Sequence, residues 1–265
     1  ITEVKGIGFK TADVLALKMG VLPDSIYRIK ACINFILVKT TADEGNSCIE
    51  KQELYQKIIV ELDNQDNTIS EKLFNDAILE LISEKKVVLL ENDYITSAFL
   101  YKAETGILEN IKKRLNIPTI KITENIEEFI KNKQAEMNIQ FSEEQKQAAK
   151  LVNSGINMFI LCGYAGTGKT TISRAILELL SIRYNVENIV CCALSGIASD
   201  RIRKTTGYNS HTIASLIVQA NKRGGRFPCK VLLIDEASMI NSELLYRLFC
   251  ILDDDCMVIM VGDPK

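Results

Sequence analysis

Apolar positions in the first half of the chain recur at helical spacing. Over residues 50–62 they are Leu54, Tyr55, Ile58, Ile59 and Leu62, and over 71–82 they are Leu73, Phe74, Ala77, Ile78, Leu81 and Ile82. Each set falls on one face of an amphipathic helix. The stretch VVLLENDYITSAFL then reads as two strand-like runs around Asn92-Asp93, the pattern of a hairpin. A helix with a basic end (Lys112, Lys113, Arg114) follows and breaks near Pro118. The second half has another texture. Runs apolar throughout (MFILC, NIVCCAL, VLLID, CMVIMVG) alternate with helical segments, and Ile172, Ala175, Ile176, Leu179 and Leu180 form a continuous stripe over 171–182. Strands buried on both faces and alternating with helices predict an α/β fold with a parallel sheet.

Composition narrows this picture only a little. Hydrophobic residues make up 47% and charged residues 25%, ordinary values for a globular chain, and the net charge of −2 offers no bulk attraction to nucleic acid. The eight cysteines form no C-x-x-C pair, and several lie inside apolar runs. Neither a zinc site nor a disulfide framework is expected, and a reducing, cytoplasmic setting fits. No run reaches the ~18 apolar residues of a membrane span. The domain boundary is expected in the polar stretch KNKQAEMNIQ, giving a first domain over 1–135 and a second over 136–265.

The candidate chemistry sits in the second half. GYAGTGKT, Gly163 to Thr170, fits G-x-x-x-x-G-K-[ST] between a predicted strand and a predicted helix, the context a phosphate-binding loop requires. Its glycines let backbone N–H groups face the phosphates, and the helix N-terminus adds its dipole. Lys169 is placed to reach the β- and γ-phosphates and Thr170 to put a hydroxyl on Mg²⁺. The plainer alternative is a glycine-rich strand-to-helix turn. VLLIDEAS supplies the second half of a nucleotide site, with Asp235 and Glu236 at the C-terminal end of a strand. Asp235 would hold Mg²⁺, through water or directly, and Glu236 would orient and deprotonate an attacking water. Gln145 has two readings. It lies upstream of the loop, where a Gln can bond the adenine edge, yet Ser142-x-x-Gln145 is also a capping box.

Two features bear on what such a motor acts on. Residues 201–230 hold Arg201, Arg203, Lys204, Lys222, Arg223, Arg226 and Lys230 with no Asp or Glu, which is either a phosphate-backbone contact or a solvated basic loop. At the start, VKGIGFKTADVLA places a Gly6-Ile7-Gly8 turn ahead of Lys10 and a helix. It is similar to the second half of a helix-hairpin-helix motif, where turn amides meet a DNA phosphate without reading sequence. A plain turn between two helices is the alternative.

The ordered set GYAGTGKTT, ALSGIASDRI, HTIASLI, LLIDEASMI and VGDPK, behind a helix-hairpin-helix region, resembles the RecD-like DNA helicases. These are the family of the exodeoxyribonuclease V alpha subunit and its stand-alone relatives, within helicase superfamily 1. The resemblance implies a RecA-like P-loop NTPase domain with a parallel sheet, preceded by a mainly helical domain of helix-hairpin-helix and winged-helix-like character. It implies ATP and Mg²⁺ as cofactors and single-stranded DNA, or DNA with a 5′ overhang, as the track in 5′-to-3′ movement. Other subunits of a recombination or repair complex are further expected partners. Phosphate contacts fall to Gly163, Gly166, Thr167, Gly168, Lys169, Thr170 and Thr171, metal and water to Thr170, Asp235 and Glu236, and adenine to Gln145. DNA contacts fall to Gly6, Gly8 and Lys10 and, further on, to Ser195, Gly196 and Thr212. Ser stands at 195 where the family usually has Thr, and Ala214 stands where it usually has His, so His211 takes no such role. Family members continue past VGDPK into a Gln-Leu-Pro-Pro run and a second RecA-like domain with an arginine finger, worth roughly 10³–10⁵ in rate. Both ends are therefore expected to be internal to a longer enzyme, and the chain alone to hydrolyse ATP very slowly. A DNA-binding P-loop ATPase serving as switch or scaffold is the competing reading.

Overall fold

The computed structural model describes residues 8–62 and 69–264, and the chain divides into two compact units, Ile1–Lys102 and Ala103–Lys265. In the first unit, helices α1 (Phe9–Lys18) and α2 (Ile26–Lys39) are followed by a short π-helical turn, strand β1 (Ile49–Glu50), α3 (Lys51–Glu61), α4 (Glu71–Ser83), and strands β2 (Val87–Leu89) and β3 (Tyr94–Ser97). The two helices predicted from periodicity are α3 and α4, and Leu54, Ile58, Phe74, Ala77, Ile78 and Leu81 are all buried. They pack with Ile29, Cys32 and Ile33 of α2 into one core. Ser70 starts α4 by accepting the Leu73 N–H at 3.2 Å. The predicted hairpin forms as β2 and β3, paired antiparallel with Leu89 opposite Ile95. Its second arm is shorter than the apolar run, because Ala98 already begins α5 (Ala98–Leu115). β1 adds to β3, giving the order β1-β3-β2, the arrangement of a winged helix.

In the second unit, α6 (Ile126–Met137) and α7 (Glu143–Asn153) lead to a βα series: β4 (Met158–Cys162), α8 (Lys169–Leu180), β5 (Ile189–Ala193), α9 (Gly196–Thr206), β6 (Asn209–Thr212), α10 (Ile213–Lys222), β7 (Val231–Ile234), α11 (Ser242–Cys250) and β8 (Met257–Gly262). The strands form one parallel sheet in the order β4-β8-β7-β5-β6. Alternate residues of each inner strand feed opposite cores. Cys191, Leu233 and Ile259 pack with Ile172, Ile176 and Leu179 of α8 on one face. Val190, Leu232 and Val258 pack with Leu216 of α10 and Leu248 and Phe249 of α11 on the other. Burial of each such side chain contributes about 1.5–3 kcal/mol. Ile122 and Ile130 belong to the first of these cores.

β6 was not foreseen. Its sequence, NSHT, is polar, and it lies at the sheet edge where only one flank is paired. The cysteines in the apolar runs are free thiols, and burial pushes Cys191 up to about 12 and Cys192 well above the usual thiol range. Cys191, Cys192 and Cys256 are buried and serve as small core residues, while Cys162 is exposed. Among the described residues no group of His, Cys, Asp and Glu is arranged to hold a metal by itself, and no helix is long and apolar enough to cross a membrane.

Candidate nucleotide-binding cleft

β4 hands the chain to a loop that wraps back on itself. Gly163 N–H donates to Gly262 O at 3.3 Å, tying the loop to the end of β8. Gly166 and Gly168 have φ of +82° and +81°, conformations that side-chain-bearing residues rarely adopt. A Cβ on Gly168 would lie 2.6 Å from Gln145 Nε2 and would push that side chain aside, so the positive φ is the stricter demand for glycine. α8 begins at Lys169 with no side chain capping its first turn, which leaves the leading amides for an anion. Lys169 Nζ sits 2.6 Å from Gly163 O, 3.0 Å from Tyr164 O and 2.5 Å from Asp263 Oδ1. Thr167 Oγ1 donates to Tyr164 O at 2.8 Å, and its carbonyl accepts from Gln145 Nε2. Thr170 is exposed and Thr171 half-buried on the first turn.

β7 delivers the carboxylates opposite. Asp235 N–H donates to Cys192 O at 2.9 Å, fixing the strand end against β5. Asp235 Oδ1 accepts the Glu236 N–H at 3.0 Å. Glu236 has φ +55° and ψ +35°, a left-handed conformation that costs about 1–2 kcal/mol for a residue with a Cβ. Such strain concentrates at functional positions. Between the loop and these carboxylates lies a cleft of about 590 Å³ at the C-terminal ends of β4, β7 and β8, lined by Lys169, Thr170, Arg201, Asp235, Glu236 and Asp263 among others. This is where open α/β sheets bind ligands. Its anionic donors and the Thr170 hydroxyl are all oxygen, the set a hard cation such as Mg²⁺ takes, and among the described residues lining it three carboxylates face two cations.

Of its two readings, Gln145 takes the capping one in the structure. Its Oε1 accepts the Ser142 N–H at 3.0 Å while Ser142 Oγ accepts the Gln145 N–H at 3.3 Å, completing the capping box of α7. Its Nε2 reaches Thr167 O at 3.0 Å, so the same amide lashes α7 to the phosphate loop.

Of the residues expected at DNA, Ser195, Gly196 and Thr212 lie at the C-terminal ends of the neighbouring strands β5 and β6, where Ala193 pairs with Thr212. Ser195 caps α9 by accepting the Ala198 N–H at 3.1 Å, and Thr212 caps α10 by accepting the Ser215 N–H at 3.1 Å. Gly196 opens α9 with nothing within 4 Å of a Cβ position. Gly6 lies outside the described residues. Gly8 stands at the start of α1, which has no side-chain cap, and its φ of −71° is open to any residue. Lys10 pairs with Glu61 at 2.9 Å. Of the basic window, Arg203 pairs with Asp200, Lys230 with Asp255 at 2.7 Å, and Arg226 donates to Leu252 O.

Two cleft residues escaped the sequence reading. Arg201 was counted with the basic window, but its Nη2 lies 3.2 Å from Glu236 Oε1 and 3.6 Å from Asp235 Oδ2. Asp263 belongs to the VGDPK segment, which was given no side-chain role, yet it holds Lys169. The signal for Asp263 was its place at the end of a strand beside the loop strand; nothing in the sequence pointed Arg201 at the carboxylates.

Residues 1–48 match the family described as "ATP-dependent RecD2 DNA helicase HHH domain", and residues 140–265 match the "AAA domain" family. The ATP-dependent RecD2 DNA helicase of Deinococcus radiodurans is 26% identical over 278 aligned positions that take in 99% of this chain and 38% of the relative. The RecBCD enzyme subunit RecD of Mycolicibacterium smegmatis is 28% identical over 46% of this chain and 27% of its own length. The ATP-dependent DNA helicase dda of Enterobacteria phage T4 is 29% identical over 47% of this chain and 32% of its own. The chain thus spans less than two-fifths of the length of each of these relatives. A RecD2-type first domain and an ATPase domain follow in that order on one chain, and a RecD2 relative aligns along almost all of it, so the chain is similar to the RecD-like helicases over nearly its whole length.

Proposed function

We propose that this chain forms the N-terminal domain and first motor domain of an ATP-dependent DNA helicase that moves 5′ to 3′ on single-stranded DNA. The motor is taken as 136–265 and the helix-hairpin-helix and winged-helix-like region as 1–135. The observation that carries the reading is the cleft: the phosphate loop with Lys169 faces Asp235 and Glu236 across the ends of β4, β7 and β8.

In this reading the uncapped start of α8 and the Gly163–Thr170 amides bind the ATP phosphates, and Lys169 leaves Asp263 to meet them. Thr170 and Asp235 hold Mg²⁺, which when bound neutralises phosphate charge. Glu236, held in its strained conformation, orients the attacking water and takes its proton. Gln145 presents its amide to the adenine edge when it releases Thr167 O. DNA runs past Ser195, Gly196 and Thr212, and the uncapped start of α1 with Gly8, Lys10 and Gly6 touches a phosphate of the same or a neighbouring strand. The setting is cytoplasmic, consistent with free buried thiols.

Alone, the chain turns ATP over slowly, since the cleft cations among the described residues are Lys169 and Arg201, both engaged with its carboxylates. The test is ATP hydrolysis with and without single-stranded DNA, wild type against Lys169→Ala and Glu236→Gln. A slow, DNA-stimulated rate lost in both variants supports the motor. Several turnovers per second from the 265-residue chain, or a rate indifferent to both substitutions, sinks it.

A further inference from the structure

Arg201 lies on α9, whose inner side is fixed by the burial of Ala198 and Ile202 and by a 2.9 Å bond between Ser199 Oγ and Ser210 Oγ. Its guanidinium sends a single nitrogen, Nη2, to two of the three cleft carboxylates, 3.2 Å from Glu236 Oε1 and 3.6 Å from Asp235 Oδ2. Asp235 Oδ1 is turned the other way, onto the Glu236 N–H. Lys169, the other cleft cation, is committed to Asp263 and two loop carbonyls, so it does not compensate this pair. Two carboxylates brought to one nitrogen repel each other unless a cation stands between them. The planar guanidinium, with several N–H donors, is suited to fill that place while no metal is bound.

A divalent ion seeking the same oxygens meets a positive charge already in position. We propose that Arg201 is a positioning residue that holds the Asp235–Glu236 pair as a cation in place of the metal, and gives the pair up when the metal loads. The exchange needs only a swing of the side chain. Arg201 is 56% exposed against 16% for Asp235, so the carboxylate stays put and the arginine leaves. Because Arg201 rides on the helix that Ser195 caps, a shift of the start of α9 moves the guanidinium relative to the carboxylates. This inference rests on reading the cleft as a metal-nucleotide site.

The test is Mn²⁺ binding to the chain without nucleotide, read from the electron paramagnetic resonance signal of the free ion. Wild type is compared with Arg201→Ala, Arg201→Lys and Asp235→Asn, each checked for an unchanged thermal melt. An exposed ion pair of this kind corresponds to roughly a two- to fivefold change in affinity. Arg201→Ala is expected to bind Mn²⁺ tighter by about that factor, Arg201→Lys to fall between it and wild type, and Asp235→Asn to lose binding. If Asp235→Asn loses Mn²⁺ while Arg201→Ala binds it unchanged or more weakly, the inference is overturned and the metal site stands. Were Asp235→Asn to bind Mn²⁺ like wild type, the reading of the cleft would fall and this inference with it. A loss of ATP binding in Arg201→Ala with Mn²⁺ affinity unaltered would assign the arginine to phosphate, and also overturns the exchange.

Discussion

Gln145 offers the sharpest separation of a structural from a functional role, because its two amide ends do different things. Oε1 closes the capping box with Ser142 N–H at 3.0 Å, and Nε2 ties the loop through Thr167 O at 3.0 Å. Gln145→Ala removes both bonds. Gln145→Glu keeps an oxygen for the cap but removes the donor to Thr167 and adds a negative charge to the first turn of α7, which the helix dipole favours. A neutral hydrogen bond contributes about 0.5–1.5 kcal/mol, with exposed ones at the low end. Gln145→Ala should then cost about 1–2 kcal/mol and Gln145→Glu about half of that. In a unit of this size each kcal/mol moves Tm by about 2–4 °C. The melts should order as wild type, Gln145→Glu, Gln145→Ala. Binding of fluorescent ADP against fluorescent GDP then reads the second role. If the amide contacts adenine, Gln145→Glu loses its preference for ADP despite retaining its cap. A preserved preference in Gln145→Glu leaves Gln145 as cap and lash only. Melts of both variants within 1 °C of wild type refute the energetic argument, since the bonds would then contribute nothing measurable.

The same logic applies at Ser195, which caps α9 at 3.1 Å. Ser195→Asp preserves a cap of equal quality and Ser195→Ala removes about 1 kcal/mol, so a loss of single-stranded DNA binding in Ser195→Asp at unchanged Tm assigns the position to DNA. Equal DNA binding in the two variants leaves it a cap alone. His211 is the chain's single histidine, so its ring proton gives one resolved titration by NMR. Burial disfavours the imidazolium and Arg203 adds to this, so the midpoint is expected below 6.5. The unfolded chain takes up the proton first, so this contribution to stability is complete above pH 6.5 and declines as pH falls through that value toward the folded midpoint. A midpoint at or above 6.5 contradicts the packing seen around β6.

What the sequence made legible depended on whether a residue's role is set by its neighbours in the chain or by those across the fold. The inner strands announce themselves because both faces are buried, so β5 and β7 read as unbroken apolar runs. The phosphate loop is equally local: Gly166, Gly168 and Lys169 need one another at fixed spacing, and the glycines meet a backbone requirement visible in their positive φ. The edge strand NSHT lacks the burial that makes a strand readable. The basic window was hard to read for a different reason. A count of charges has no direction, and in the folded unit Arg203 and Lys230 turn to local carboxylates while Arg201 faces the cleft. Ser195 and Thr212 show the intermediate case, since a small hydroxyl just before an apolar helical run is what a helix start demands whether or not DNA passes by. Their position in a family motif and their duty as caps are compatible, because a capped helix presents its first turn in a fixed place. That turn begins the helix carrying Arg201 to the Asp235–Glu236 pair, so one short segment joins the candidate DNA face to the candidate metal site.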